Sequence, residues 1–343
     1  MKKSAAFFAF VVFIFFFTPE AVFAQRGGRS QSEIIEVRLA SPMPRNSDWG
    51  RTLDRIAAEC ARVTNNEVRF RVLHDGVEGG ETKSLSSLST DNIQASLFTS
   101  FGLSLFCPEI LTMSVPFMIR NDAELEQVLK EILPILEARI NTTNYVVLAW
   151  SKAGWVNVFS KDPVFVPDDL RRHKVATNPE SDELNLAFRT MGFNLVETEI
   201  VDLGTRLANN MINAIYQTPA AVAPIGMHRT LCNMLDIPIA PFLGAIVMNR
   251  VTWNKLGPNR QREILRATQR IAAEFDDLMP RTVDNALAMM QREGLKINRA
   301  NAEQQALWHA DLQRAIPSLL GTAFDRNVYQ RINGILERSR SGR

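Results

Sequence analysis

Leu148–Asn178 reads LAWSKAGWVNVFSKDPVFVPDDLRRHKVATN, and the order of its apolar runs and breakers decides the fold. Leu148–Trp150 and Trp155–Phe159 are short aliphatic and aromatic runs parted at Gly154, the pattern of two extended segments with a break between them. Pro167 followed by Asp168 and Asp169 predicts a helix start, because proline tolerates the first turn and acidic side chains complement its exposed amides. Lys174–Thr177 then returns to a strand. Strand, helix, strand is the unit from which open α/β sheets are built.

Upstream, Ile35, Val37 and Leu39 alternate with Glu36 and Arg38, which suits a strand with one face more buried than the other. Trp49, Leu53, Ile56, Ala57, Cys60 and Val63 fall on one helical face, and Asn65 with Asn66 ends that helix before Val68, Phe70 and Val72 resume a period of two. Gly76, Gly79 and Gly80 head the next helical run. Without Gly-x-Gly-x-x-Gly or a Walker lysine they read as a turn and not as a phosphate cradle. A strand over Ile93–Phe98, a charged helix over Asp122–Ile140 and a strand over Tyr145–Trp150 complete an alternation that predicts an open, largely parallel sheet.

Downstream, a helix over Asp182–Thr190 stops at Gly192, Asn194–Val196 is a strand and Asp202–Asn209 a short helix. Gly244–Asn249 is a further strand. Pro258 starts a long helix that Gly294 finishes, with Ile264, Leu265, Ala272, Phe275 and Leu278 as its apolar face and an expected kink or interruption at Pro280. Leu295–Ile297 returns as a short strand, and helices follow over about 302–316 and 322–338.

Met1–Ala24 places Lys2 and Lys3 before a phenylalanine-rich run and ends on Val22-Phe23-Ala24, the make-up of a cleavable secretory signal. Gln25–Ser32 reads as a flexible polar leader. No cysteine follows the apolar run until Cys60, so a lipid-attached terminus is not indicated. Removing the signal takes Lys plus Arg from 39 to 37 and Asp plus Glu from 37 to 36, a near-neutral balance that carries no argument for nucleic acid. Cys60, Cys107 and Cys232 are odd in number and set among apolar residues, which favours buried free thiols over a disulfide. The four histidines, His74, His173, His228 and His309, are scattered and there is no Cys-x-x-Cys, so neither a metal nor a cofactor is expected. No Gly-x-Ser-x-Gly or His-Glu-x-x-His is present, which leaves a secreted hydrolase without its motif.

Glu78-Gly79-Gly80-Glu81, the strand to Thr99, Pro108-Glu109, Val115-Pro116-Phe117 with Arg120, and Trp253-Asn254-Lys255-Leu256 are each short and common. In this order and spacing, with the Asp169–Ala176 run, the chain resembles the substrate-binding proteins of tripartite ATP-independent periplasmic (TRAP) transporters, the DctP type. The resemblance covers almost the whole mature chain. It implies a two-lobed α/β periplasmic solute-binding fold of the Venus-flytrap type with a long interlobe helix, no catalysis, and a membrane permease as partner. A periplasmic helical-repeat (TPR) protein is a second partner that some members have. The lobes expected from it are residues 34–152 plus 244–290 and residues 153–243 plus 291–343, hinged near Gly154 and Phe242.

The family's Asp-Leu-Lys-Gly-x-Lys-x-Arg is here Asp169-Leu170-Arg171-Arg172-His173-Lys174-Val175-Ala176, so the arginine that clamps a substrate carboxylate is replaced by Ala176. The family's Gly-Val-Val-Asp-Gly is Asn210-Met211-Ile212-Asn213-Ala214, followed by Gln217, Thr218 and Pro219. Carried across position by position, the pocket is Phe98, Thr99, Trp155, Val156, Ala176, Ile200, Gln217, Phe242 and Leu243. Charged and amide groups have given way mainly to apolar ones, which implies a small apolar or amphipathic ligand. Two alternatives stay open: an organic acid held by another cation, Arg45 or Arg206, and a ligand sensor that docks on a receptor. The basic run Arg171–Lys174 reads as a solvated turn in preference to an anion pocket.

Overall fold

The computed structural model describes residues 34–179, 182–198 and 202–342. The signal and leader expected over residues 1–33, and Ile200, lie outside the described residues. Strand β1 (Ile35–Ala40) pairs in parallel with β2 (Val68–Leu73) and β3 (Ala95–Thr99). Between β1 and β2, α1 (Asp48–Val63) is started by Ser47, whose hydroxyl accepts from Gly50 N at 3.0 Å. Asn65 and Asn66 end the helix in the left-handed region, at φ 50° and 62°, a conformation asparagine tolerates. Leu53, Ile56 and Cys60 of α1 pack on Val37 and Leu39 of β1 and on Ile264 and Ile271 of α9 (Arg250–Arg292). Helix α2 (Glu81–Ser89) precedes β3; α3 (Ser100–Ser104), a 3-10 turn at Pro108–Ser114 and α4 (Asp122–Asn141) follow it.

Strand β4 (Tyr145–Ser160) is a single strand of 16 residues where the sequence suggests two segments. A glycine can sit inside a strand at a bulge. Gly154 does so at φ 89°. The chain continues through α5 (Pro167–Arg171), β5 (Lys174–Thr177), α6 (Asp182–Thr190), β6 (Asn194–Glu197), α7 (Leu203–Ala208), β7 (Ala214–Gln217), α8 (Pro219–Ile225) and β8 (Asn233–Leu235). Strand β9 (Ala240–Asn249) then runs back beside β4. After α9 come β10 (Lys296–Asn298), α10 (Ala302–Leu319) and α11 (Arg326–Arg340).

Among the described residues the sheet has ten strands, in the path β2-β1-β3-β9-β4-β7-β5-β6, with β8 and β10 beside it. It is mixed, not largely parallel as the alternation suggested. Strand β9 lies antiparallel to β3 and β4, and β4 lies antiparallel to β7 and β8. The chain passes through the middle of the sheet once in each direction, and hydrogen-bonding the two passages to each other forces that arrangement.

The break in α9 falls at Gly257 (φ 73°, ψ 160°), so Pro258 opens the long run, while helical dihedrals continue through Pro280, which is exposed. Pro280 has no N–H to donate to the Asp276 carbonyl four residues earlier, and its place on the solvent face leaves that carbonyl open to water. The buried stripe is Ile264, Ile271, Ala272, Phe275 and Met279. Leu278, read as part of it, is 52% exposed. Cys60 and Cys107 are buried thiols, pushed up to about 12 by burial, and Cys232 is half-buried.

Candidate functional site

The two central strands pair from Tyr145↔Asn249 to Val156↔Ala240, and the register shifts between Lys152↔Leu243 and Trp155↔Pro241. In that interval β4 spends one more residue than β9, which makes the bulge that Gly154 occupies. A side chain at Gly154 would be strained, and its Cβ would sit 3.5 Å from Val283 of α9.

Just before the bulge, Asp276 of α9 reaches the strand. Its Oδ1 accepts from Ser151 Oγ at 2.6 Å and from Lys152 N at 2.8 Å. Burial pushes this carboxyl up to about 6 against the pull of those two donors and the Lys152 charge, and Glu126 adds to the rise. Lys152 Nζ contacts Glu126 of α4. Burial works against the Lys152 charge, but the neighbouring carboxylates outweigh it and hold the ammonium above its ordinary value. A cavity of about 530 Å³ opens here, with Leu129, Leu133, Trp150 and Leu243 as apolar wall and Lys152 and Asp276 among its polar groups. That volume is of ligand size.

Of the expected pocket residues, six lie along β3, β9 and β4. Phe98 is fully buried and meets Phe106 edge-on at 5.7 Å. Thr99 pairs with Gly244 and donates from its backbone N and Oγ1 to Glu81 at 2.6 and 2.7 Å. The acidic residue after Gly79-Gly80 therefore fixes the end of β3. Trp155 is half-buried and its indole donates to Asp122 at 2.8 Å. Val156 is 2% exposed and its carbonyl accepts from Ile239 N at 2.9 Å. Phe242 is half-buried; Leu243 is buried and its carbonyl accepts from Ser100 Oγ at 3.2 Å.

The other two described positions lie across the sheet. Gln217 ends β7 opposite Asn157, and its Oε1 accepts from Thr218 N at 2.8 Å. Ala176, 9% exposed, pairs with Val196 and Ile215 and shares an aliphatic cluster with Leu207 and Val222. Among the described residues of the expected set, only Leu243 lines the cavity. Asp276, Ser151, Lys152 and Trp150 were not singled out from sequence. A signal existed: Asp276 sits four residues after Ala272 and three before Met279, a carboxylate bordering an apolar stripe.

Arg171, Arg172 and His173 of the basic run have partners, and Lys174 is exposed with its Nζ donating to the Asn210 carbonyl at 3.3 Å. Arg171 meets Asp168 at 2.5 Å, contacts Asp311, and donates to the Met191 carbonyl at 2.9 and 3.1 Å; Arg172 contacts Asp169; and His173 Nδ1 lies 2.8 Å from the Asp169 carbonyl. Arg171 also lies over the Phe193 ring at 5.7 Å. These side chains hold α5 against α6 and α10. Arg45 is paired with Asp54 at 3.7 Å and is 70% exposed. Arg206 is half-buried on α7 and forms no ion pair among the described residues. No group of three or more potential metal ligands occurs among the described residues.

Comparison with known proteins places this geometry. The chain is 22% identical over 240 residues to the 2,3-diketo-L-gulonate-binding periplasmic protein of Escherichia coli, covering 68% of this chain and 72% of that one. It superimposes with a TM-score of 0.81 on a TRAP periplasmic solute-binding protein of Ralstonia eutropha with bound (S)-2-acetolactate, at 16% identity over 88% of this chain and 99% of that one. A TRAP periplasmic solute-binding protein of Sulfurospirillum deleyianum with bound succinate gives the same TM-score of 0.81 at 17% identity, over 88% and 99% of the two chains. The fold is thus the two-lobed one of these binding proteins, with α9 as its long helix. The model of the family described as bacterial extracellular solute-binding protein, family 7 (DctP), matches residues 39–320, and the chain belongs to that family of binding proteins, not enzymes.

Proposed function

We propose that the protein is the extracytoplasmic binding component of a TRAP transporter and that its ligand has a sizeable apolar body. The mature chain, starting near Gln25, would capture that ligand in the periplasm between lobes formed by residues 34–152 plus 244–290 and residues 153–243 plus 291–343, and pass it to a membrane permease. A helical-repeat protein in the periplasm is a further partner to seek.

The observation that carries the ligand reading is Ala176. The position that the resemblance assigns to a carboxylate-clamping arginine holds a methyl group among Val196, Ile215 and Leu207. A carboxylate closed in beside it has no cation there, and an unpaired buried charge costs several kcal/mol. Val156 and Leu243, both 2% exposed, extend the same apolar character. Apolar contact on such walls is worth about 25 cal/mol per Å² buried.

A second reading has its own support. Solved relatives hold acetolactate and succinate, and Arg206, on the helix whose Leu207 packs with Ala176, forms no ion pair among the described residues. In this reading a small organic acid is held by Arg206. Mass spectrometry of material extracted from the purified periplasmic protein separates the two. Recovery of a fatty or terpenoid-like molecule supports the first; recovery of a small polar acid, lost in Arg206→Ala, supports the second.

A further inference from the structure

Two secondary-structure elements distant in sequence meet at the bulge. Strand β4 arrives at Ser151 and Lys152, two or three residues before Gly154, and α9 runs past with Asp276 turned inward. The contact is specific, because one oxygen, Oδ1, takes both the Ser151 hydroxyl at 2.6 Å and the Lys152 amide at 2.8 Å. A backbone donor is included, so the carboxyl fixes the path of the strand as well as a side-chain rotamer. The residue is half-buried and borders the cavity of about 530 Å³, so a modest opening of the crossing would hydrate its carboxyl further.

The charges facing it come from two elements. Lys152 of β4 is tied to Glu126, Lys130 lies further along the α4 wall, and Asp122 at the start of α4 acts on Lys152. From β9 the facing residue is Leu243, which offers no charge. Desolvation is the largest influence on Asp276; the Ser151 and Lys152 donors and the Lys152 charge oppose it, and Glu126 adds to it.

We propose that Asp276 is a proton-linked latch on the strand crossing: its protonation favours the arrangement seen here, in which α9 holds β4 beside the Gly154 bulge, and its ionisation favours a looser, hydrated crossing. The direction follows from linkage. A conformer that desolvates a carboxyl binds its proton more tightly, so acid favours that conformer and alkali the hydrated one. This carboxyl stands at about 6 here against an ordinary 3.8, so a conformer that restores the ordinary value gains up to about 100-fold in relative population as pH rises from below 4 to above 6. The proposal rests on the reading of Gly154 as a hinge between lobes, and it makes ligand capture sensitive to periplasmic pH.

Hydrogen–deuterium exchange of the ligand-free mature protein tests it, read on peptides covering 150–156 and 240–245 and corrected for the intrinsic pH dependence of exchange. Protection in the wild type should fall severalfold, up to about tenfold, from pH 5 to pH 8, the rest of the change lying below pH 5. Asp276→Asn, a neutral isostere, should keep the pH 5 protection throughout. A wild type whose corrected protection does not change with pH overturns the proposal without any variant, and so does an Asp276→Asn protein that retains the wild-type response. Because no ligand is present, a wrong ligand assignment leaves these readouts unmoved.

Discussion

Ser151 on β4 donates to the Asp276 carboxylate of α9 at 2.6 Å, across 125 residues of sequence. The bond joins the strand that passes between the halves of the sheet to the helix that spans them. Because burial raises Asp276 to about 6 from 3.8, the folded protein takes up a proton that the unfolded chain does not hold at that pH. Stability owed to this group therefore declines as pH rises from 3.8 through 6 and is level above that. Asp276→Asn should resist urea better than the wild type at pH 8, by up to about 3 kcal/mol. The advantage should shrink as pH falls from 6 toward 4. An advantage independent of pH would contradict the assignment.

Gly102 permits the contact between Glu81 and Thr99. A Cβ there would overlap Glu81 Oε1 and the Phe98 ring. Gly102→Ala should cost about 1–3 kcal/mol in chemical denaturation, because the carboxylate cannot move without releasing the Thr99 amide and hydroxyl. Wild-type stability in this variant would show that the Glu81 contact is dispensable.

Arg340 of α11 grips Glu124 of α4 with two bonds of 2.8 and 2.9 Å and donates to the Met118 carbonyl at 2.8 Å. Burial works against the Glu124 charge, yet Arg340 and the Arg120 amide hold its carboxyl below the ordinary 4.5. The pair therefore stabilises the fold above about pH 4.5 and is lost as pH falls lower. Arg340→Ala should destabilise by about 2–3 kcal/mol at pH 7, less than for a fully buried pair because the guanidinium is partly exposed. Adding Glu124→Gln should recover part of the loss, and a purely additive double variant would rule out the coupling.

Much of this architecture was legible in the sequence. Asn65, Asn66, Gly192 and Gly294 stop helices where expected because each adopts positive φ, a local property that residue type reports. Three features were not legible, each for a tertiary reason. Strand β4 continues through Gly154 because pairing with β9 and then β7 sustains it on either side of the bulge. The sheet is mixed because β9 folds back between β3 and β4, which alternation of elements does not encode. In the Arg171–Lys174 run Arg172 and Lys174 are exposed as a solvated turn expects, but Arg171 is occupied by Asp311, 140 residues away. The expected pocket came from family positions alone: Thr99 and Trp155 were carried over in that way, and their partners Glu81 and Asp122 follow from packing.

Ala176→Arg should exchange one ligand class for another. The side chain enters beside Leu207, Ile215 and Val222 and brings a charge into an aliphatic cluster. Affinity for an apolar ligand should fall at least tenfold, about 1.4 kcal/mol, and affinity for small carboxylates should rise. Fluorescence competition with a lipophilic probe reads both changes. Unchanged affinity for both classes would place the ligand away from β5.

Isothermal calorimetry of the delipidated mature protein against succinate, glucuronate and medium-chain lipophilic molecules tests the central claim most directly. About 3 kcal/mol of uncompensated charge burial corresponds to a weakening of roughly a hundredfold. The account predicts micromolar or tighter binding of a lipophilic molecule, with the small acids at least a hundredfold weaker. Micromolar binding of succinate or glucuronate by the unmutated protein, abolished in Arg206→Ala, would contradict it.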